Sequence, residues 1–155
     1  MRAVVQRVSK GSVSIEGTIR CSIGRGYVIL LGIRQGDTAE DARFLAEKCA
    51  GLRVMEDAAG KMNLSLGDVR GSAIVVSQFT LYGDARKGNR PSFVAAARPE
   101  EAEPLYEQFV RIMRGILGPE RVQTGEFRAM MEVTIVNDGP VTILIESPSQ
   151  NRTES

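Results

Sequence analysis

The stretch Gly26-Tyr27-Val28-Ile29-Leu30-Leu31-Gly32 is an unbroken apolar run bounded by glycines. It is far shorter than the roughly 18 apolar residues that a membrane helix needs, and its length is that of a β-strand. A strand with no polar face is buried on both sides. We therefore predict that this segment is the central strand of a sheet and that both of its faces are covered.

Other β-type segments lie on both sides of this strand. Glu16-Gly17 is a turn signal and predicts a hairpin between the segments that flank it. Residues 54–69 are rich in turn-forming residues, and residues 122–127 are predicted to be irregular. The predicted strands are residues 2–8, 12–15, 18–21, 26–32, 72–81, 130–136 and 141–145, the last two joined by a turn at Asn137.

Two segments have the apolar periodicity of amphipathic helices. The first begins near Thr38, where Thr-x-x-Asp resembles a capping box with Asp41 in place of glutamate. The second opens with Pro99 and two glutamates and ends at Gly118-Pro119. The predicted buried positions are Ala42, Leu45, Cys49 and Leu52 in the first helix, and Leu105, Phe109, Ile112 or Met113, and Ile116 in the second. The order of elements predicts an α+β fold with a largely antiparallel sheet and two main helices.

The composition limits the chemistry that is open to this chain. It has 155 residues, a net charge of +1, no histidine and two cysteines. We expect one domain, residues 1–147, followed by a flexible polar tail, residues 148–155. Because histidine is absent and Cys21 and Cys49 lie in unlike surroundings, a zinc site would need an unusual ligand set. We predict no metal and no cofactor.

The near-neutral charge also bears on partners and location. Duplex nucleic acids are held through many phosphate contacts, so a net charge of +1 argues against a broad grip on DNA. It leaves open the recognition of one nucleic-acid end in a pocket. The sequence has neither the features of a signal peptide nor a membrane-length apolar segment, so we predict a cytoplasmic protein without a membrane partner.

The first candidate site is Ser77-Gln78-Phe79-Thr80, at the end of the predicted strand 72–81. Alternation places Ser77 and Phe79 on one face and Gln78 and Thr80 on the other. A strand end has backbone N–H groups that no neighbouring strand uses, and such groups can form an oxyanion hole. Ser77 or Thr80 could act as a nucleophile only with an activating base, and no histidine is present. The residues alone favour hydrogen bonding at a strand end.

The second candidate is Asn137-Asp138-Gly139-Pro140, between two β-type segments. Asparagine, aspartate, glycine and proline are the expected residues of a hairpin loop, and the residues alone favour that interpretation. They give no reason to expect a cis Gly139-Pro140 bond. A third segment, with Arg86, Lys87 and Arg90 close to Phe93, is a basic loop that could touch phosphate, although a solvated loop is the simpler interpretation.

Taken together, these segments resemble the D-aminoacyl-tRNA deacylase family, also known as the D-tyrosyl-tRNA deacylases. The resemblance extends from Met1 to about Glu146. It rests on residues 5–8 (VQRV), 60–63 (GKMN), 77–84 (SQFTLYGD), 87–93 (KGNRPSF), 122–125 (VQTG) and 137–142 (NDGPVT). The stretch 127–130 departs from the family pattern, since a small residue would be expected where Arg128 lies. So many motifs in the same order make the match highly specific.

The resemblance implies a homodimer with a barrel-like core at its interface and an editing site that cleaves the ester of D-aminoacyl-tRNA. Glycyl-tRNA mischarged on tRNA(Ala) would be a further substrate. The Gly139-Pro140 bond would be cis, inserted into the partner's pocket, and would exclude L-amino acids. Ser77, Gln78, Phe79 and Thr80 would form the catalytic segment, with Asn137, Thr142, Met130 and Arg7 also contributing to substrate binding. The 2′-hydroxyl of the terminal adenosine would assist catalysis, and Thr80 is an older nucleophile candidate.

Two other functions remain open at the level of sequence. The same pocket could hold an aminoacylated or bare tRNA 3′ end without cleaving it, in which case no free amino acid would be released. Alternatively, the protein could hydrolyse small D-amino-acid esters or D-peptides, which requires no tRNA.

Overall fold

The computed structural model describes residues 1–148. Of the expected tail, residues 149–155 lie outside the described part of the chain. The strands are β1 (Arg2–Ile15), β2 (Thr18–Ile23), β3 (Gly26–Gly32), β4 (Met55–Glu56), β5 (Met62–Leu64), β6 (Ser72–Ser77), β7 (Val122–Thr124) and β8 (Glu132–Glu146), and the helices are α1 (Ala39–Gly51) and α2 (Pro99–Leu117). Short 3-10 helices occupy Phe79–Tyr82 and Pro119–Arg121. No helix within residues 1–148 is long and apolar enough to cross a membrane.

Six strands form one mixed sheet in the order β2-β1-β3-β6-β7, with β8 paired to the other side of β1. Strand β1 is antiparallel to β2, β3 and β8, whereas β3–β6 and β6–β7 are parallel. The prediction of a largely antiparallel sheet therefore holds for three of the five pairings of this sheet within residues 1–148 and is wrong for the two parallel ones. The physical reason is that α1 and α2 are crossover connections, which return the chain to the same end of the sheet before the next strand starts.

The sheet curls until its two ends approach each other. The thiol of Cys21 on β2 lies 3.4 Å from the carbonyl oxygen of Thr124 at the end of β7, and it donates a hydrogen bond there. The result is a nearly closed, barrel-like sheet with the two helices packed on its outer face. The α+β class predicted from the sequence is confirmed.

Strand β3 lies in the middle of this sheet and has the predicted bounds. Six of its seven residues are buried and the seventh is half-buried, as expected for a strand covered on both faces. Tyr27, Ile29 and Leu31 point to the core beneath the helices, whereas Val28 and Leu30 belong to the core inside the barrel. The two cores therefore share one strand.

The helices begin close to where the sequence predicted. The Asp41 carboxylate accepts a hydrogen bond from the Thr38 N–H at 2.8 Å, which is the return bond of the predicted capping box. Of the predicted buried positions in α2, Phe109 and Met113 are buried, but Ile116 is 52% exposed. The helix buries Tyr106 instead, whose hydroxyl donates to the Val75 carbonyl of β6 at 2.7 Å.

Several predicted strand bounds were wrong. Residues 2–8 and 12–15 belong to one continuous strand, β1, and the turn-rich segment 54–69 contains the short hairpin β4–β5. Residues 122–127, predicted to be irregular, include β7, which pairs with β6. The predicted strand 72–81 ends at Ser77. The hairpin at Glu16-Gly17 is confirmed by the pairing of β1 with β2.

The start of β3 depends on a close approach between two backbones. An added Cβ at Gly26 would lie 1.7 Å from the carbonyl oxygen of Ser72, the first residue of β6. Backbone atoms cannot yield as a flexible side chain can, so only glycine permits the parallel pairing to begin at this point. At Gly24, two residues earlier, an added Cβ would meet no atom within 4 Å.

We predict that Gly26→Ala lowers the free energy of unfolding by at least about 3 kcal/mol, because β3 and β6 must separate at their first residues. Gly24→Ala is the matched control and should change stability by less than about 0.5 kcal/mol. Urea denaturation followed by circular dichroism measures both. Equal stability of the two variants would contradict the close approach.

Candidate active site

A cavity of about 730 Å³ opens where β6 ends, between the start of α2 and the start of β8. Its walls are largely apolar, and its polar groups come mainly from the segment that follows β6. The lining residues are Ile33, Val76, Ser77, Gln78, Phe79, Thr80, Phe93, Ala96, Ala97, Arg98, Pro99, Ala102, Phe127, Arg128, Ala129, Met130, Met131 and Val133. An apolar cavity with a few converging polar groups is the usual form of a small-molecule site.

The segment Ser77–Thr80 forms one wall of the cavity. The Gln78 N–H donates to the Leu31 carbonyl at 2.8 Å and ends the sheet pairing, after which the chain turns into the 3-10 helix Phe79–Tyr82. The predicted strand alternation therefore does not extend beyond Ser77, and Phe79 and Thr80 are both exposed at the cavity. The physical reason is that no neighbouring strand is available to pair with this segment.

The turn leaves two backbone N–H groups free. Leu81 is the first residue whose N–H bonds back into the 3-10 turn, to the Gln78 carbonyl at 3.2 Å. Within residues 1–148, the N–H groups of Phe79 and Thr80 donate to no acceptor. Two adjacent free amides beside an apolar cavity can stabilise an oxyanion. This is the group predicted from the strand end, although a helical turn provides it.

The Thr80 hydroxyl lies beside an amide and has no base next to it. Gln78 Nε2 donates a hydrogen bond to Thr80 Oγ1. Among the described lining residues of the cavity there is no carboxylate, lysine or histidine. Asp84 follows in the same motif, but its hydrogen bonds from Arg86 lower its pKa to about 2. Near neutral pH, nothing in the cavity wall is suited to remove the proton of Thr80.

An aromatic ring directly after the basic loop, that of Phe93, lines the cavity. Asp84 and Ser92 exchange two backbone hydrogen bonds, of 2.7 and 2.8 Å, which close the base of the loop between them. Phe93 follows directly and packs edge-on against Phe79, with 5.3 Å between the ring centroids. Of the predicted phosphate contacts, Arg86 is held by Asp84 at 2.8 Å, and the loop itself does not line the cavity.

The segment Asn137–Pro140 is not a hairpin loop. Strand β8 runs through it in one direction and pairs with β1 on both sides, Val8 with Asn137 and Gln6 with Thr142. Four residues of β8 therefore stand opposite one residue of β1, Arg7. They form a bulge, and the Gly139-Pro140 peptide bond within it is cis. The prediction of a turn between two strands was wrong because both strands pair with the same partner.

Arg7 holds the bulge in place. Its side chain is 6% exposed, and it donates to the carbonyl oxygens of Asp138 at 2.9 Å and of Val54 at 2.8 Å. Two carboxylates also lie near the guanidinium: Asp138 Oδ2 is 3.6 Å from Arg7 Nε, and Glu56 Oε1 is 3.8 Å from Arg7 Nη2. Gly139 has φ +132°, and a Cβ there would lie 3.2 Å from Arg7 Nη2. The buried guanidinium of Arg7 therefore fixes the shape of the bulge.

The bulge and the cavity are far apart within one chain. Val133 lines the cavity, whereas Gly139 lies six residues further along β8, at most about 20 Å at the rise of an extended strand, and no residue of the bulge lines the cavity. Of the predicted substrate-binding residues, only Met130 lines the cavity with the Ser77 segment. Asn137, Gly139, Pro140 and Thr142 are exposed at the bulge, and Thr142 Oγ1 hydrogen-bonds to Gln6 Oε1.

Sequence reasoning missed several cavity residues. Phe127 and Arg98 line the cavity, although neither was singled out as a site residue. Arg98 carried no signal because it directly precedes a helix and resembles any solvated N-cap residue. The departure at Arg128 was a usable signal: this residue has φ +67°, a left-handed conformation in which a small residue is favoured.

Within residues 1–148, no cluster of three or more His, Cys, Asp or Glu side chains could hold a metal ion. Cys49 is buried in the helical core, which raises the pKa of its thiol to about 12, so this thiol is a poor ligand and a poor nucleophile at neutral pH. The polar groups in the described cavity wall are backbone amides, the neutral side chains of Ser77, Gln78 and Thr80, and two arginines, Arg98 and Arg128.

The α+β fold, the apolar cavity and the two free backbone amides fit a class of protein, the hydrolases that stabilise an oxyanion through the main chain. The family model for D-Tyr-tRNA(Tyr) deacylase matches residues 4–146. This chain belongs to that family.

Curated relatives agree over almost the full length. The chain is 58% identical over 152 residues to the D-aminoacyl-tRNA deacylase of Koribacter versatilis, covering 97% of this chain and 99% of the relative. It is 57% identical over 149 residues to the D-aminoacyl-tRNA deacylase of Anaeromyxobacter dehalogenans, covering 95% and 97%.

Two solved structures share the fold. A c-Myc DNA Unwinding Element Binding Protein superposes with a TM-score of 0.91 at 44% identity, covering 96% of this chain and 99% of the other. A probable eukaryotic D-amino acid tRNA deacylase superposes with a TM-score of 0.80 at 17% identity, covering 94% and 98%. The second likeness concerns the fold alone.

We predict that Arg7→Met lowers the free energy of unfolding by about 2–3 kcal/mol, because the carbonyls of Asp138 and Val54 lose their charged donor. Arg43→Met, at a side chain that is 63% exposed on α1, is the control and should be nearly neutral. Thermal denaturation compares the two. Equal melting temperatures would show that Arg7 does not anchor the bulge.

Proposed function

We propose that this chain hydrolyses the ester of D-aminoacyl-tRNA, releasing the free D-amino acid and tRNA. The observation that carries the proposal is the pair of free N–H groups at Phe79 and Thr80 in an apolar cavity of a chain that belongs to this family. The enzyme acts in the cytoplasm, where charged tRNA is used. No metal or cofactor enters the reaction.

The chemistry follows from what the cavity contains. Water attacks the ester carbonyl carbon, and the carbonyl oxygen gains the negative charge that the two amides stabilise. The bond between the carbonyl carbon and the 3′ oxygen then breaks, and the proton lost by water ends on that 3′ oxygen. Because the cavity wall offers no base, the neighbouring 2′-hydroxyl of the terminal adenosine relays this proton.

A pair of substitutions separates the backbone from the side chain. Phe79→Pro removes one amide N–H at the first position of a helical turn, where proline is tolerated, and should lower kcat about 100- to 1,000-fold. Phe79→Ala keeps the amide and is the matched control for the lost ring. Thr80→Ala should cost much less than Phe79→Pro, because the hydroxyl has no base to activate it. Single-turnover deacylation of D-tyrosyl-tRNA measures all three.

The opposite order of effects would contradict the scheme. A folded Thr80→Ala protein without activity, beside an active Phe79→Pro, would make Thr80 the nucleophile. The substrate's part is tested with tRNA that ends in 2′-deoxyadenosine and is charged on its 3′-hydroxyl. This substrate should bind normally and be cleaved very slowly.

We further propose that the protein is a homodimer in which the bulge of one subunit completes the cavity of the other. Residues 137–140 are all exposed, and none of them lines the cavity of its own chain. Strand β8 is an edge strand of fifteen residues, and none of them is buried. Long exposed edges are uncommon in isolated subunits, and covering this edge with a second copy removes the exposure.

In such a dimer, the bulge would select the hand of the substrate. Main-chain atoms of Gly139 and Pro140 would occupy the space into which an L-side chain projects, and no rotamer change could move them aside. A D-amino acid or glycine would still fit, so the proposal includes glycyl-tRNA mischarged on tRNA(Ala). Arg7 fixes the position of these atoms through its hydrogen bond to the Asp138 carbonyl.

Subunit complementation tests the shared site. Phe79→Pro damages the cavity and leaves the bulge intact, whereas Gly139→Ala distorts the bulge, since the new Cβ would lie 2.9 Å from Val141 Cγ2. Each homodimer should be nearly inactive. A heterodimer purified through two different tags should recover about half of the wild-type activity, because one of its two sites then combines an intact cavity with an intact bulge.

A heterodimer that remains inactive would show that each subunit uses its own bulge. A protein that elutes as a monomer at micromolar concentration would exclude the shared site altogether. Tight binding of D-tyrosyl-tRNA without release of D-tyrosine would instead indicate a binder of the charged 3′ end.

A further inference from the structure

The cavity contains a second feature, which the deacylation scheme does not use. Among its eighteen described lining residues, only Arg98 and Arg128 are charged. They lie in different parts of the chain: Arg98 directly precedes α2, and Arg128 lies in the segment before β8. An otherwise apolar cavity with two cations and no carboxylate has an electrostatic preference for an anion.

Both side chains are available to a ligand. Arg98 and Arg128 are exposed, and within residues 1–148 neither side chain makes an ion pair or hydrogen bond. Other arginines of the chain are held, as Arg7 is by two carbonyls and Arg86 by Asp84. The two cations at the cavity thus have their donors free.

Arg128 is also held in an unfavourable backbone conformation. Its φ is +67°, where a side chain with a Cβ is disfavoured and a glycine is not. Local strain of this kind at a cavity is a reason to look for a function of the side chain. The guanidinium is the group that the strained position adds to the cavity.

We propose that Arg98 and Arg128 bind the phosphodiester on the 5′ side of the terminal adenosine of the tRNA. The proposal rests on the proposed function, which places the ester in this cavity. Every tRNA carries that phosphodiester one nucleoside away from the ester, whereas an acidic amino-acid side chain is present in few substrates. The planar guanidinium binds phosphate oxygens through two parallel N–H donors, and two such groups hold one phosphate in a fixed orientation.

The test uses non-hydrolysable 3′-amide analogues, so that binding is measured without cleavage. One is 3′-(D-tyrosylamino)-3′-deoxyadenosine, which has no phosphate. The other carries a cytidine joined to it by the natural phosphodiester. Titration calorimetry compares the two ligands on the wild-type protein, on Arg98→Gln, on Arg128→Gly and on the double variant. Arg43→Gln, on helix α1 and outside the cavity lining, removes the same charge and is the control.

For the phosphodiester ligand, we expect Kd to rise about tenfold in each single variant, as for the loss of one charged hydrogen bond. The dependence of Kd on salt concentration should become weaker in each variant, because salt screens the charge pair that the substitution removes. The adenosine ligand should bind all variants equally well. Arg128→Lys, which keeps the charge and loses the planar fork, should recover part of the affinity.

Equal weakening of both ligands, or no weakening of either, would overturn the assignment. A loss seen only with a D-aspartyl analogue, and not with the D-tyrosyl one, would mean that the arginines bind the amino-acid side chain. Deacylation of D-tyrosyl-tRNA by the wild-type protein is measured separately. Its failure would refute the proposed activity, whereas the binding titrations would still decide on the two arginines.

Discussion

The pairing of β1 with three other strands is the constraint on which the rest of the structure depends. β1 bonds to β3 and β2 along one edge and to β8 along the other. Because side chains alternate with a period of two, a slip of one residue on either edge would move every apolar side chain of that pairing to the wrong face. The bulge can exist only because both of its flanks are fixed in register on this one strand.

Arg7 is the residue of β1 that holds the exposed bulge of β8. It lies on β1 at the single position that faces the bulge, and its neighbour on β3 is the buried Tyr27. Burying a guanidinium is costly, and the cost is tolerable only when its donors reach good acceptors. Two main-chain carbonyls meet that need here, and two carboxylates lie within 4 Å. Burial raises the pKa of Tyr27 to about 12 although Arg7 favours the anion, so the Tyr27 hydroxyl beside the guanidinium is neutral near neutral pH.

The sequence predicts those parts of the fold that depend on local patterns. Strand β3, the hairpin at Glu16-Gly17 and the capped start of α1 follow from runs, turn residues and spacing, and they appear as expected. The parallel pairings and the path through Asn137 could not be predicted in this way. Both depend on which distant strand is the partner, and the residues of a bulge within one strand are the same as those of a turn between two.

The candidate site, too, could be predicted from the sequence only in part. The Ser77 and Asn137 segments were predicted as candidate sites from their residue types, but the groups through which we propose that they act are main-chain atoms, the Phe79 and Thr80 amides at one and the Gly139 and Pro140 backbone at the other. A sequence indicates main-chain groups only indirectly, through residues that permit an unusual backbone conformation, such as Gly139.

Side-chain groups, in contrast, can be read directly from the sequence. Arg128 was visible as a departure from the family pattern, and its left-handed backbone then showed that the departure has an energetic cost.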